Sequence, residues 1–243
     1  MVFGLFSKEK SLQRLIEKAT NKLAQQPDRW GALERLRDDG TDDALFGLCK
    51  RFGVTSMKGV EDEQEKTWVV DTLVAKDALA LAPLIRYMKT AEQLAHPLRV
   101  LEQITTRDKA MPVIDELFAS EPPGYVRMPD RRIDLLRWFS EWKPATDDEV
   151  IARLTPYLTD FDENVRFTAI DGLNGRDAEK IAKPLLDALL RPEEESGRIR
   201  RTIIEVLAKS KVPLGDRAER VAGRMQGQAA DEYKIVDGHV VKR

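Results

Sequence analysis

The sequence predicts an all-α protein, a right-handed α-solenoid of about six helix A/helix B repeats that ends in a capping helix and a short β-hairpin tail. Three observations predict it. One short apolar pattern recurs six times along the 243 residues, a second set of helical stripes fills the intervals, and convincing strand alternation is absent before residue 230.

The recurring pattern is clearest in EKTWVVDTL, Glu65 to Leu73, and VRFTAIDGL, Val165 to Leu173. Further copies run from Arg29 to Leu36, Pro97 to Ile104, Arg132 to Phe139 and Arg200 to Leu207. Each copy ends on an apolar residue, is apolar four positions earlier, and carries an aliphatic residue immediately after that (Leu33, Val70, Leu101, Leu136, Ile170, Ile204). Spacings of three and four residues put these side chains on one helical face. The final positions recur after 37, 31, 35, 34 and 34 residues, the mark of a repeat architecture.

Each interval supplies the first helix of a pair. The stripes begin with Leu12, Leu15, Ile16 and Ala19, continue through Ala44, Leu45, Leu48 and Cys49, and close with Ile181, Leu185 and Leu189. Asp77, Asp108, Asp147 and Asp177 each precede such a helix, where a carboxylate can accept from free N–H groups and meet the positive end of the dipole. The expected units lie at about 8–38, 41–75, 77–105, 108–143, 146–175 and 177–210, with a capping helix at 214–227. Together they form one array over 1–228 and leave a hairpin tail at 229–243. In the tail, Asp237-Gly238 between β-branched runs signals a two-residue turn that sets Ile235 against Val240 and Val236 against His239. A single helix pair cannot bury its own apolar faces, but stacked pairs can.

Composition narrows the function. With 42% hydrophobic residues a sizeable core can form, and 40 basic against 42 acidic residues give none of the basic footprint that nucleic-acid binding usually leaves. One cysteine rules out an internal disulfide framework and fits a reducing, cytoplasmic setting. No apolar run is long enough to span a membrane. The opening MVFGLFSKEK is too short for a signal peptide; it reads as a hydrophobic cap on the first helix or as a small peripheral anchor to a membrane or partner.

The unit LTDFDENVRFTAIDGL, Leu158 to Leu173, resembles the HEAT-repeat motif through Leu158, Asp160, Val165-Arg166, Ala169 and Leu173, and the next unit keeps Ile199-Arg200, Ile203 and Leu207. The resemblance covers most of residues 10 to 210 and is sharpest in these two units. It implies stacked repeats in which Asp and Arg positions form ladders. Arg29, Lys66, Arg132, Arg166 and Arg200 recur just inside helix B, with Pro97 breaking the series, and five positions on in each copy come Glu34, Asp71, Glu102, Asp171 and Glu205, with Arg137 breaking that series. Stacking register is the expected role of both series, with binding as the alternative.

Function is therefore expected to be non-catalytic: a protein–protein interaction scaffold that uses the concave helix-B face and the variable edge of A-to-B loops. The partner would be another protein or peptide, with no cofactor and no metal. The fourth unit stands out, because Tyr125, Arg127, Arg131, Arg132 and Arg137 form a candidate exposed patch of residue types favoured as interface anchors. At least one of Trp138 and Trp142 should fill a seam between units. Trp68 and Phe167, with Asp71 and Asp171 beside them, mark where specificity would be written on the helix-B face. The alternative is a HEAT-like enzyme or accessory lyase working in the groove. DNA glycosylases and tetrapyrrole lyases of that kind exist, and Trp68, Asp71 and Arg99 loosely resemble the aromatic, acidic and basic set of the former. His96, His239 and Cys49 form no zinc spacing or nucleophile motif, and Cys49 sits in a core stripe.

Overall fold

The computed structural model describes residues 2–243, with side chains from Glu9 onward, so the cap or anchor expected at the first residues lies outside the described side chains. Among the described residues the chain is mostly helical, with fourteen α-helices and one two-stranded antiparallel sheet near the C-terminal end. No helix among them is long and apolar enough to cross a membrane. The chain divides into two compact units, Met1–Leu117 and Phe118–Arg243.

The first unit contains α1 (Val2–Ala19), α2 (Gln26–Asp39), α3 (Asp42–Cys49), α4 (Gly59–Lys76), α5 (Ala78–Met88), α6 (Ala95–Ile104) and most of α7 (Arg107–Ser120). Here α1 packs on α2, α3 on α5 and α4 on α6, while α1 also touches α3 and α2 touches α4. The face that carries the recurring pattern is the buried one. Leu33, Leu36, Val69, Val70, Leu73, Val100 and Leu101 are buried, and they meet a core that includes Leu45, Leu48, Cys49 and Phe52. Each such side chain contributes about 1.5–3 kcal/mol by leaving water. Ile104 is only half-buried. Gly47 allows α1 and α3 to approach closely, since a Cβ there would lie 2.6 Å from the Ile16 side chain.

The second unit contains α8 (Asp130–Glu141), α9 (Asp147–Leu154), α10 (Glu163–Gly172), α11 (Ala178–Leu190), α12 (Gly197–Lys209), α13 (Ala218–Arg224), α14 (Gln228–Glu232), β1 (Tyr233–Val236) and β2 (His239–Lys242). Helix α10 packs on both α8 and α12. Leu135, Leu136, Phe139, Ala169, Ile170, Leu173, Ile203, Ile204 and Leu207 are fully buried, which is the same pattern face as in the first unit.

Of the four expected aspartate caps, Asp177 accepts from the backbone N–H groups of Glu179 and Lys180. Asp147 yields the cap to Thr146, which forms a capping box with Glu149. A hydroxyl one residue earlier already satisfies the free donor, so the aspartate joins the first turn, where it still meets the dipole. Asp108 likewise lies within the first turn of α7. Asp77 is held at φ 47° and caps nothing with its side chain.

The expected capping helix is shorter than 214–227. Met225 turns extended and Gly227 adopts φ 56°, which divides α13 from α14. The hairpin has the expected register, Ile235 opposite Val240 and Val236 opposite His239, and Asp237 and Gly238 both take positive φ as a two-residue turn requires. It docks on its own unit: β2 packs on α12, Val240 and Tyr233 are buried, and the Leu214 N–H donates to the Gly238 carbonyl at 2.9 Å.

Candidate functional site

The basic residues just inside the recurring pattern are mostly buried, and their partners follow a rule in the second unit. Arg132 donates from Nη1 to Asp160 Oδ2 at 2.7 Å and to the Gly124 carbonyl at 2.9 Å. Arg166 places Nε 2.8 Å from Glu194 Oε2 and donates to the Asp160 carbonyl at 2.9 Å. The carboxylates are held in turn by backbone donors: Asp160 accepts from the N–H groups of Gly124 and Asp162, and Glu194 from Ser196. Each rung thus joins one arginine, the carbonyl of the loop that precedes its helix, and a carboxylate from the next such loop.

The first unit elaborates the scheme. Glu65 is fully buried and accepts from Arg29 at 2.8 Å and from Arg51 at 2.7 Å, while Arg29 also donates to the Ala24 carbonyl. Arg51 bridges on to Asp62 at 2.7 Å, and Lys66 reaches the same carboxylate at 2.7 Å. Burial alone would raise the Asp62 carboxyl. Hydrogen bonds from Lys66, Arg51 and the Ser56 N–H prevail and hold it at about 2.

These rungs correct two sequence expectations. Arg132 is 4% exposed and does not belong to a surface patch, because Asp160 draws it inward. Arg131 lies against Glu121, with Nε 2.7 Å from Oε1, and is largely covered. The paired carboxylates are Glu65, Asp160 and Glu194, not the column five positions after each basic residue. Asp71 and Asp171 of that column are exposed, and Glu205 pairs with Lys209 on its own helix. An acid six residues ahead of the arginine in the same unit, as in Asp160–Arg166 and Glu194–Arg200, is the signal that finds two of the true partners.

The outer side of α2 and α4 carries an open groove of ≈ 730 Å³, whose lining includes Trp30, Val60, Glu63, Thr67, Trp68 and Asp71. The Trp30 and Trp68 rings stand 5.3 Å apart at 48°, and both are half-exposed. The Arg37 guanidinium lies 5.5 Å from the Trp68 ring centre. No lysine or arginine lines the groove, whereas two carboxylates do. Trp68 and Asp71 are thus brought together as the sequence suggests, and Trp30 joins them. It stands in its copy of the pattern where Phe167 stands in another. Arg99 is exposed on α6 and does not line this groove. Near the rim, His96 stacks on Phe52 and meets Glu63 at 3.3 Å; burial keeps its imidazole below the ordinary value despite that carboxylate.

In the second unit, Tyr125 is 75% exposed and meets Phe161, 69% exposed, edge to face at 5.2 Å. Arg127 is exposed in the same loop as Tyr125. Arg137, Phe167 and Asp171 share a small cleft of ≈ 220 Å³. Trp138 stacks on Trp142 at 5.3 Å; Trp142 is buried and Trp138 half-buried. Cys49 is in the core, where burial pushes its thiol up to about 12. Among the described residues, no group of three or more His, Cys, Asp or Glu side chains is placed to hold a metal.

No protein-family model matches the chain, and neither the curated proteins nor the solved structures contain a significant match to it.

Proposed function

We propose that the chain is a cytoplasmic protein-interaction scaffold of the HEAT-like α-solenoid kind, and that it binds an extended segment of another protein along the exposed side of its second helices. The observation that carries this reading is the Trp30–Trp68 pair. Two half-exposed indoles over an apolar groove are costly to leave in water and are the residue type that most often anchors a protein interface. The carboxylates of Glu63 and Asp71, with no cation in the lining, favour a segment that presents an apolar side chain next to a lysine or arginine. Support for the solenoid comes from helices that touch the helix two places along, α2 with α4 and α10 with α12, and from the repeated arginine–carboxylate rungs. The exposed Tyr125–Phe161 pair, made from two loops of the variable edge, offers a further contact surface.

Selection of a displayed peptide library on the purified protein tests the reading, with selected peptides then titrated against tryptophan fluorescence. Enrichment of sequences that pair an apolar residue with Lys or Arg is expected. Binding should weaken at least tenfold in Trp68→Ala, with the melting temperature nearly unchanged. Peptides that bind Trp68→Ala and Trp30→Ala as well as the parent would overturn it.

A further inference from the structure

One member of the basic series differs from the rest. Arg200 follows the first half of the rung rule, since its Nη1 donates to the Glu194 carbonyl at 3.1 Å, just as Arg166 donates to the carbonyl of Asp160, also six residues earlier. The second half is not met. Arg29, Arg132 and Arg166 each meet a buried carboxylate at 2.7–2.8 Å, whereas no carboxylate among the described residues lies within ion-pair distance of Arg200. In place of an acidic loop, Arg200 helps line a cavity of ≈ 670 Å³ between the start of α12 and the turn Gln226–Ala229.

The other charges at this cavity are already matched. Arg198 covers the Phe167 ring at 4.2 Å and reaches Glu163 and Asn164, Arg201 is held by both oxygens of Glu232 at 3.1 Å, and Glu205 pairs with Lys209. Arg200 therefore carries the unbalanced positive charge, half-buried, with guanidinium donors to spare. A fork held by a carbonyl on one side is preorganised for an anion on the other.

We propose that the Arg200 cavity is a receptor for a carboxylate side chain presented by an acidic peptide segment of a partner protein. The chain shows the required ligand twice: an acid whose carboxylate also accepts the N–H two residues on, as Asp160 does from Asp162 and Glu194 from Ser196. A second copy joined end to end does not supply it, because Leu23 stands six residues ahead of Arg29 where Asp160 and Glu194 precede their own arginines. This deepens the scaffold reading and rests on it. The site is in a different unit from the tryptophan groove, so failure here leaves the outcome at that groove standing.

The test uses the full chain and a capped peptide with the sequence RPEEESGR of Arg191–Arg198, whose Glu194 fills the equivalent place on Arg166. Backbone amide and arginine Nε–H resonances are followed by NMR during titration. Saturable shifts are expected at Arg200 and around Gln226–Ala229. Affinity should fall at least fivefold when the peptide carries Glu194→Gln and by a similar factor when the protein carries Arg200→Gln. The peptide change leaves the protein's folding untouched, so a misfolded variant cannot mimic the result. Equal binding of the Glu and Gln peptides, shifts that avoid Arg200, or inorganic phosphate binding at Arg200 more tightly than the peptide would each overturn the proposal.

Discussion

Residues 1–117 and 118–243 both bury arginines at the start of a pattern helix, but they surround them differently. In the second unit each rung is built on one close arginine–carboxylate pair, Arg132–Asp160 or Arg166–Glu194, with loop carbonyls and N–H groups around it, while Glu121 and Arg191 stand farther off at 3.8 Å from Arg132 and 3.7 Å from Glu194. In the first unit, Arg51 turns inward from the segment between α3 and α4 to meet Asp62 of the first turn of α4, so that Arg29, Arg51 and Lys66 share Glu65 and Asp62 in one network. A separate rung can be lost with damage confined to it. A shared network leaves several charges uncompensated when a single member is removed. The lesson is that buried charge at this position ties a pattern helix to the loops beside it, whereas Trp30, Trp68 and Tyr125 stay partly or largely exposed.

The largest difference between the two units is expected at Glu65. Glu65→Ala removes the fully buried carboxylate that Arg29 and Arg51 share, leaving Arg51 with Asp62 and Arg29 with the more distant Glu61 at 3.9 Å, and urea denaturation should show a loss of about 5 kcal/mol. Asp160→Ala takes the carboxylate from one arginine, Arg132, and from the Gly124 and Asp162 N–H groups, and should cost about 3 kcal/mol by the same measurement. Equal losses at the two sites would erase the distinction between network and rung.

Acid should separate the units next. The folded Asp62 carboxyl sits at about 2 against its ordinary 3.8, so its stabilisation is fully present above pH ~4 and is lost as pH falls through about 2. That difference corresponds to about 2 kcal/mol. Denaturant titrations at several pH values should show this loss in the parent and a flatter profile in Asp62→Asn. The smallest effect is expected at Asp171, where Asp171→Ala should change the unfolding free energy by under about 0.5 kcal/mol because the side chain is exposed and no rung depends on it.

The buried face of the helices was legible in the sequence because apolar spacing of three and four leaves a regular trace, and eight of the nine pattern positions in α8, α10 and α12 are aliphatic. The hairpin was legible for a similarly local reason, the positive φ that Asp237-Gly238 tolerates. The rung partners were harder to see. Glu65 sits in the first turns of a helix and Glu194 in an acidic run, where each reads as a solvated charge until the fold brings an arginine from 36 or 28 residues away, and Asp62 meets Arg51 from 11 residues away. The candidate patch at Tyr125 divided for the same reason: Arg132 and Arg131 found carboxylates, and Tyr125 found Phe161 from another loop. Trp30 escaped notice because a lone tryptophan on a helix gains meaning only from the Trp68 it faces.

The claim beneath both the architecture and the Arg200 receptor is that a pattern arginine and the carboxylate of the following loop act as one coupled unit. A double-mutant cycle on Arg166→Met and Glu194→Gln, read by chemical denaturation, tests it most directly. A coupling energy of about 1.5–3 kcal/mol is expected, with the double variant less damaged than the two single losses combined. Losses that add to within about 0.3 kcal/mol would contradict it.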